Sequence, residues 1–493
     1  MGFNLCTDPW VPIAGRAKRM SLTELFSGPS PGRLAGNAVD KIVILRFLLA
    51  LVHAANRIED LDAWVALAPE IMAANVRTYL EGHHDCFELY GDRPFLQFSK
   101  LAELGGQASS PGSLLVDVAV GNKVVLSGWN REKSLSNAEK TILLLRSSCF
   151  ACGGKKFDKE LCLSPGVIKG ATGSSGTLLG FLGFLHAYML GDNLWETLRL
   201  NLLTERNLRE VNAWPQGVGK PFWEEMPGGE TDARAEQYKH SYQGQLFPLD
   251  KFLLLTDEGV IKTSGITYPG HKNGLIDPAL TIIADGKDIR ATWARTEDRP
   301  WRQLPALLKF LESRSHAQPY FLSMGMEKLR RLDAGSCTVW VGGVAVSSNS
   351  GEQYLSGTND YVESEFSIDT AYMFANSYHT FTGLMEKLEK MAKRLFGSVF
   401  NYFTKTAGQD NAADFAARAK SVFWERMEPH AQEIITLAFS ETDENTLGRA
   451  TGKWFDLLCR IYEEFCPRDT PRQLTAWVEA HPGFQTITKK GDR

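Results

Sequence analysis

Long apolar runs are missing from this sequence. The two longest, "IVILRFLLALVHAA" (42–55) and "GTLLGFLGFLHAYML" (176–190), fall short of the roughly 18 to 20 residues that a bilayer span needs, so each is read as a buried helix. The start, "MGFNLCTDPW", lacks a basic segment followed by an apolar one; no secretory signal is visible and the expected compartment is the cytoplasm. Cysteine is sparse, 8 of 493 residues, too scattered for a disulfide scaffold and in keeping with a reducing environment. A basic excess is missing too. Lys and Arg number 54 against 58 Asp and Glu, a formal net charge of −4, so the overall balance does not announce a nucleic-acid binder. Also absent are the G-x-x-x-x-G-K-[ST] phosphate loop, the G-x-S-x-G elbow and the H-E-x-x-H metal pair. The many carboxylates fall on helix faces where exposure is the ordinary state. The expectation is a protein that is not an enzyme and holds no cofactor and no metal.

Core material, by contrast, is ample. Hydrophobic residues make up 43% and charged residues 23%, as in soluble globular proteins, and a chain of this length exceeds what one core organises. "FNLCTDPWVPIAG" reads as extended chain broken at Pro9 and Pro12, followed by a helix in "SLTELFS" with Ser21 as N-cap and Glu24 at the capping-box position. Three- and four-residue apolar spacing predicts helices over 39–56, 61–81, 136–147 and 191–205, with a turn in "GDRPFLQF". Residues 207–241, rich in Pro, Gly, Trp and alternating charge, read as a long surface connection. Then "KFLLLT", "VIKTSGITY", "ALTIIA", "RATWAR" and "CTVWVGGVAV", set between "DEG", "NG" and "DGKD" turns, predict sheet in the middle third. From 368 onward come four amphipathic segments, 368–404, 412–439, 446–465 and 472–480, whose inner residues are Phe374, Leu384, Leu388, Phe396, Phe423, Trp424, Ile434, Trp454 and Leu458. No internal repeat or heptad run is visible. The predicted fold class is α+β: a large mixed α/β N-terminal domain over 1–367 and a C-terminal four-helix bundle over 368–493.

The stretch "SCFACGGKKF" (148–157) admits three chemistries. Cys149 and Cys152, with Cys162 ten residues on, are one ligand short of a tetrahedral zinc site, and no second C-x-x-C completes them. A redox pair would open a helix after a strand in a thioredoxin-like unit, and no such pattern surrounds them. The order C-G-G-K-K-F-D is not a Walker loop, and "GATGSSG" (170–176) precedes an apolar run rather than following a strand, so it reads as a linker. His84 and Asp85 spell the dipeptide of a metal phosphohydrolase but sit in a helix-end context. The third chemistry is DNA contact. Gly153 and Gly154 let backbone amides approach a duplex with no Cβ between, and Lys155 and Lys156 then neutralise phosphates, an arrangement suited to the minor groove.

Two more loops carry nucleic-acid chemistry. In "VWVGGVAVSSNSGEQYLSG" an apolar strand ends in a polar hairpin tip with Ser347, Ser348, Asn349, Ser350, Glu352 and Gln353; an amide there can hold base pairs apart while replacing their hydrogen bonds. "LSGWNREKSLS" places Trp129, Asn130, Arg131 and Lys133 together, an aromatic to stack and basic neighbours for phosphate. Each also has a plain reading as a solvated turn or a helix cap at Ser134 or Ser136.

Taken in order, "FNLCTDPWVPI", "SLTELFSG", "GDRPFLQ", the glycine loop, "GDNLWETLRLNLL" and the "VWVGG" hairpin before a helical segment resemble the CasA family, the large subunits of type I-E CRISPR Cascade surveillance complexes. The resemblance implies an α/β N-terminal domain and a C-terminal four-helix bundle without nuclease activity. It further implies that the chain reads the protospacer-adjacent motif in double-stranded DNA, wedges the duplex open to start an R-loop, and works with crRNA, the other Cascade subunits and a recruited helicase-nuclease. The family's glycine loop falls on Gly153, Gly154 and Lys155, shorter than its three-glycine form. Its crRNA-end and DNA-contacting loop falls near 129–133. Its groove lysine falls on Lys262 first and Lys272 second. Its glutamine wedge has no direct counterpart after the Gly-Gly, where Ser348 and Asn349 stand; Gln353 or Asn349 takes the place, with Gln353 preferred. Two other functions fit the residues: a structural cap of an RNA–protein assembly without sequence readout, and a thiol or zinc enzyme built on Cys149 and Cys152.

Overall fold

In the computed structural model the described residues are 2–109, 135–150, 161–164, 183–270, 274–285, 288–312, 318–349, 352–354, 360–408 and 411–483. The chain divides into two compact units, Met1–Glu365 and Phe366–Arg493.

The first unit is organised by a helix that is apolar on nearly every side. α1 (Leu22–Leu25) forms where the cap was expected: the Ser21 hydroxyl accepts from the Glu24 amide at 3.2 Å, and the Glu24 carboxylate accepts from the Ser21 amide at 2.7 Å. α2 (Ala38–Ala55) follows, and almost all of it is buried. After α3 (Leu61–Ala66), α4 (Pro69–Gly82), α5 (Lys100–Glu103) and α6 (Asn137–Cys149) come β1 (His186–Leu190), α7 (Leu194–Leu200), α8 (Glu205–Val211), α9 (Ala233–Lys239) and α10 (Tyr242–Leu246). α4, α6, α7 and α10 all pack against α2.

The strands are β2 (Lys251–Thr256), β3 (Gly259–Ser264), β4 (Ile282–Asp285) and β5 (Asp288–Ala291), then, beyond α11 (Leu304–Leu307) and α12 (Tyr320–Arg331), β6 (Ser336–Val344), β7 (Ser347–Asn349), β8 (Glu352–Tyr354) and β9 (Tyr361–Asp369). They do not make one sheet. β2–β3, β4–β5 and β7–β8 are separate antiparallel pairs, and β6 lies between β1 and β9 in a three-stranded sheet.

Several expectations are corrected here. Residues 186–190 form β1, not part of a helix: the strand is buried over 186–189, and a buried strand shows the same unbroken apolar run as a buried helix. The expected helix 61–81 is two, because Pro69 has no amide hydrogen and holds Ala68 extended (ψ 150°), so α3 stops and α4 restarts with proline in its first turn. The 191–205 pattern shrinks to α7, which begins after the Asn193 cap. Segment 207–241 is not a surface loop: Trp214, Phe222, Trp223 and Tyr238 are buried, and Trp223 meets Phe47 of α2 edge-on at 5.5 Å. Its prolines and glycines route the backbone, while its aromatics fill the core.

In the second unit, α13 (Ala375–Ala407) runs 33 residues and buries Phe381, Leu384, Leu388, Ala392, Leu395, Val399 and Tyr402 along one face. α14 (Ala412–Met427), α15 (Ala431–Ala438), α16 (Glu444–Phe465) and α17 (Pro471–Ala480) pack on it. The single helix expected over 412–439 is interrupted by a 3-10 turn at Glu428–His430, where Pro429 removes a helical donor. Ile368 belongs to β9 rather than to a helix. Of the inner residues predicted, Phe374 is exposed at the α13 N-cap and Phe396 is half-buried, whereas Leu384, Leu388, Phe423, Trp424, Ile434, Trp454 and Leu458 are buried.

Arg46, mid-way along α2, ties the first unit together. Its guanidinium lies 2.5 Å from Asp277 Oδ1, donates to the Tyr188 hydroxyl of β1 at 3.0 Å, and donates to the carbonyls of Gln245 and Leu246 at 3.1 and 3.4 Å. Asp277 also accepts from the Ala279 amide at 2.8 Å. Burial works against the Arg46 charge, but Asp277 and Tyr188 outweigh it and raise its pKa. Removing one partner strands the other, so Arg46→Met is expected to lower stability by about 3–5 kcal/mol in urea unfolding.

A second buried cation, Lys328 of α12, donates to the Leu200 carbonyl at 2.8 Å and to that of Leu202, beyond the C-terminal end of α7, and lies 5.5 Å from the Trp64 ring centroid. Burial lowers Lys328 to about 7, against a partial pull upward from Glu327. Burial first, and the nearby Lys328 second, hold His53 down at about 3. Between pH 7 and 10.5 the unfolded chain keeps a proton that folded Lys328 releases, so this group's contribution to stability rises with pH across that window. The urea midpoint of the wild type relative to Lys328→Met is expected to climb from pH 7 to about pH 9.

Candidate nucleic-acid interface

α6 connects two of the predicted loops. Its N-terminus is closed reciprocally: the Ser136 hydroxyl accepts from the Glu139 amide at 3.3 Å and the Glu139 carboxylate accepts from the Ser136 amide at 2.9 Å. Arg146 holds α6 to the first turn of α2 through Asp40 at 2.5 Å. Trp129, Asn130, Arg131 and Lys133 precede this helix, and Gly153, Gly154, Lys155 and Lys156 follow it; all eight lie outside the described residues. The 13 residues of α6 separate the roots of the two loops by about 18 Å. The fold thus keeps these sets apart at their bases.

The residues on either side of the glycine segment are described, and both reach the β2–β3 hairpin. On the outgoing side the Ser148 carbonyl accepts from the Asp250 amide at 2.9 Å, and Phe150, fully buried, packs its ring on His186 of β1 at 5.7 Å. On the return side the Leu161 carbonyl accepts from the Thr263 hydroxyl at 2.6 Å. The amides of Leu163 and Ser164 donate to the Glu230 carboxylate at 3.1 and 2.7 Å, and the Thr231 amide donates to the Ser164 hydroxyl at 3.1 Å. Asp250 immediately precedes β2, and Thr263 stands near the end of β3 that pairs with it, with Lys251 opposite Ser264 and Phe252 opposite Thr263. Ser148 and Leu161 are therefore both tied to the same end of one hairpin.

Lys262 lies in β3 of the same hairpin. It is half-buried in β3, opposite Leu253 and next to the Thr263 that holds the return foot. Lys272 lies outside the described residues. At the outgoing foot, burial raises the Asp250 pKa while Lys251, 3.2 Å away, pulls it back down.

Ser348, Asn349 and Gln353 fall in the β7–β8 hairpin. The register pairs Ser347 with Tyr354, Ser348 with Gln353 and Asn349 with Glu352. Asn349 thus occupies the last rung before the turn and Gln353 the rung behind it. The "VGG" of β6 is also explained: a Cβ on Gly342 would meet the Trp340 ring at 2.5 Å, and one on Gly343 would meet the Phe184 carbonyl at 2.6 Å. Gly342 is the Cα partner of His186, the residue on which Phe150 rests.

The thiol chemistry finds little support at Cys149. Its Sγ is buried and donates to the Leu145 carbonyl at 3.1 Å within α6, and burial drives its pKa far up despite Arg46, away from the thiolate that metal binding or redox exchange needs. Cys152 lies outside the described residues. Among the described residues no group of three or more His, Cys, Asp or Glu is placed to hold a metal ion. His84 and Asp85 stand 3.8 Å apart in a 3-10 turn (His84–Phe87) of which only Asp85 is exposed, and the Asn4 side chain donates to the His84 carbonyl at 3.1 Å. Among the described residues no helix is long and apolar enough to cross a membrane.

Sequence reasoning missed the anchors Asp250, Thr263, Glu230 and His186. Only the charged pair Asp250–Lys251 at the head of an apolar strand offered a signal, since burial of such a pair needs a reason.

Comparison with known proteins places this architecture. The model of the family described as CRISPR-associated protein Cse1 matches residues 4–464. CasA of Thermus thermophilus is similar in fold, with a TM-score of 0.75 at 18% identity over 99% of both chains. Cse1 of Thermobifida fusca matches with a TM-score of 0.75 at 20% identity, over 98% of this chain and 97% of that one. A chain of a structure described as a CRISPR RNA-guided surveillance complex matches with a TM-score of 0.67 at 15% identity, over 98% and 99%. Comparison with the curated proteins finds no match. With the family model spanning nearly the whole chain, the chain belongs to the CRISPR-associated protein Cse1 family, the CasA large subunits.

Proposed function

We propose that this chain is the non-catalytic large subunit of an RNA-guided Cascade complex, which reads the protospacer-adjacent motif in double-stranded DNA and opens the first base pairs. The observation that supports the reading is the anchoring on either side of the glycine segment: Ser148 before it and Leu161 after it are both tied to the same end of the β2–β3 hairpin, whose β3 also carries Lys262. On this reading Gly153 and Gly154 offer a duplex backbone with no side chain to keep it away, Lys155 and Lys156 supply positive charge, and Lys262 or Lys272 serves as the groove lysine. The β7–β8 hairpin, with Gln353 or Asn349, serves as the wedge. Its partners are crRNA and the other Cascade subunits, and after R-loop formation a helicase-nuclease.

The energetics suit a protein without a catalytic centre. Separating duplex DNA costs about 1.4 kcal/mol per base step, nearly all repaid as the guide pairs with its target, so the protein need only nucleate the first steps. A net charge of −4 is compatible with this: the main electrostatic channel belongs to other subunits and the guide, leaving this chain a local basic loop.

The direct test is a binding series with the reconstituted complex, with and without this chain, against targets that differ only in the flanking motif. Motif discrimination is expected to vanish without the chain. In the same assay, Lys155→Ala with Lys156→Ala is expected to reduce the slope of log affinity against log salt by about 0.9 for each phosphate that is no longer neutralised. A structural cap without readout would leave both slope and discrimination unchanged.

A further inference from the structure

A turn near the start of the chain carries positive charge that nothing in the fold answers. Residues 14–20 read "AGRAKRM". The turn is closed at its base by Val11 and Met20, whose amides each donate to the other's carbonyl at 2.9 Å, and Gly15, at φ 74°, takes the left-handed backbone that lets the chain reverse. Beneath it Trp10 is fully buried and meets Phe47 of α2 at 5.9 Å, so the turn stands on core. Arg16 and Lys18 are exposed and Arg19 is half-buried. Among the described residues none of the three makes an ion pair, and Arg19 Nη1 is buried with no hydrogen-bond partner. The carboxylates nearest in sequence, Asp8 and Glu24, accept instead from the Asn4 and Ser21 amides, each at 2.7 Å. Arg33 and Lys41, by contrast, pair with Glu365 and Glu363, each at 2.7 Å. Three unanswered positive charges within four residues thus stand in a chain of net charge −4, and such a local field attracts a polyanion.

The kind of polyanion follows from what surrounds the turn. No aromatic residue occurs between Trp10 and Phe26, and both of these rings are buried. Single-stranded nucleic acid is held by exposed rings that stack its bases, whereas a duplex presents its phosphates to cations alone. The turn is also joined to the described flank of the glycine segment. The Ala14 amide donates to the Arg33 carbonyl at 2.8 Å and the Ala35 amide to the Pro12 carbonyl at 3.0 Å, after which the Asn37 side chain caps α2 by accepting from the Asp40 amide at 2.9 Å. Asp40 in turn holds Arg146, in the last turn of α6, at 2.5 Å. From Leu34 to Asp40 the chain spans at most about 20 Å. The basic turn and the C-terminal end of α6 therefore lie within about one helical turn of B-DNA, roughly 34 Å.

We propose that Arg16 and Lys18, with Arg19 at their base, form a phosphate-binding ridge for the double-stranded DNA that flanks the motif, a contact that adds affinity and carries no sequence readout. The inference rests on the reading under Proposed function that this chain meets duplex DNA, and it uses none of the residues assigned there. Guide RNA and acidic protein surfaces are the other polyanions, and the experiment separates them.

The test uses the reconstituted complex carrying Arg16→Gln with Lys18→Gln, two exposed positions where substitution leaves the fold intact. Binding is measured across a salt series on two targets bearing the same motif, one with about 20 base pairs of duplex beyond it, two helical turns, and one ending at the motif. On the long target the variant's slope of log affinity against log salt is expected to be shallower by about 1.8, two phosphates at about 0.9 each, which from about 1 M down to 0.15 M salt amounts to roughly thirtyfold weaker binding. On the short target variant and wild type agree within about twofold, and discrimination between motifs is unchanged on both. Equal loss on both targets, or loss on neither, overturns the ridge. So does loss of this chain or of guide RNA from the variant complex in gel filtration, which makes the turn an assembly contact. If the pair lowers the thermal midpoint, Lys18→Gln alone decides, with an expected slope change of about 0.9. A wild-type complex that ignores the motif yet gains affinity from the longer duplex, with the variant losing that gain, counts against motif reading and for the ridge.

Discussion

A buried guanidinium holds the first unit in place. Arg46 gathers Asp277, the Tyr188 hydroxyl of β1 and the carbonyls at the end of α10, so one side chain joins elements about 140 to 230 residues apart in sequence. An unpaired charge in that position would be prohibitive, so the five polar groups must converge together or not at all. Cys149, at the end of α6, is close enough to feel the Arg46 charge. The strand on which Phe150 rests is thus placed by this centre, and α6 is held to the same helix by Arg146 and Asp40.

From that centre the geometry runs outward to the loops. α6 is tied to α2 by Arg146 and Asp40, its C-terminus is tied to β2 through Asp250, and the loop's return is tied to β3 through Thr263. Both flanks of the glycine segment are thus tied to one hairpin. On the proposed reading this matters because backbone amides recognise a groove best when their spacing is set before contact.

Much of this was legible in the sequence, and the failures have physical causes. The Ser21 and Ser136 caps were readable because a hydroxyl with a carboxylate three residues on satisfies amides locally. The β2–β3 hairpin and the strand of "CTVWVGGVAV" were readable from β-branched composition between turn residues. β1 was not, since burial on both faces erases the alternation that distinguishes a strand. Segment 207–241 misled because its prolines and glycines signalled a loop while Phe222 and Trp223, the residues that decide its position, pack in the core. "CGGKKF" suggested a candidate chemistry, but the anchors beside it were not legible: Glu230, Asp250 and Thr263 lie about 66 to 102 residues from the residues they hold and carry no local motif.

Backbone at positions 153 and 154 lying against an intact duplex is the claim on which the function turns. Hydrogen exchange of the reconstituted complex measures it most directly, comparing the amides of residues 151–156 in three states: free, bound to a motif-bearing duplex, and bound to a single-stranded target. The account predicts slowed exchange with the duplex and none with the single strand. Exchange unchanged by the duplex, or slowed equally by both, would contradict it.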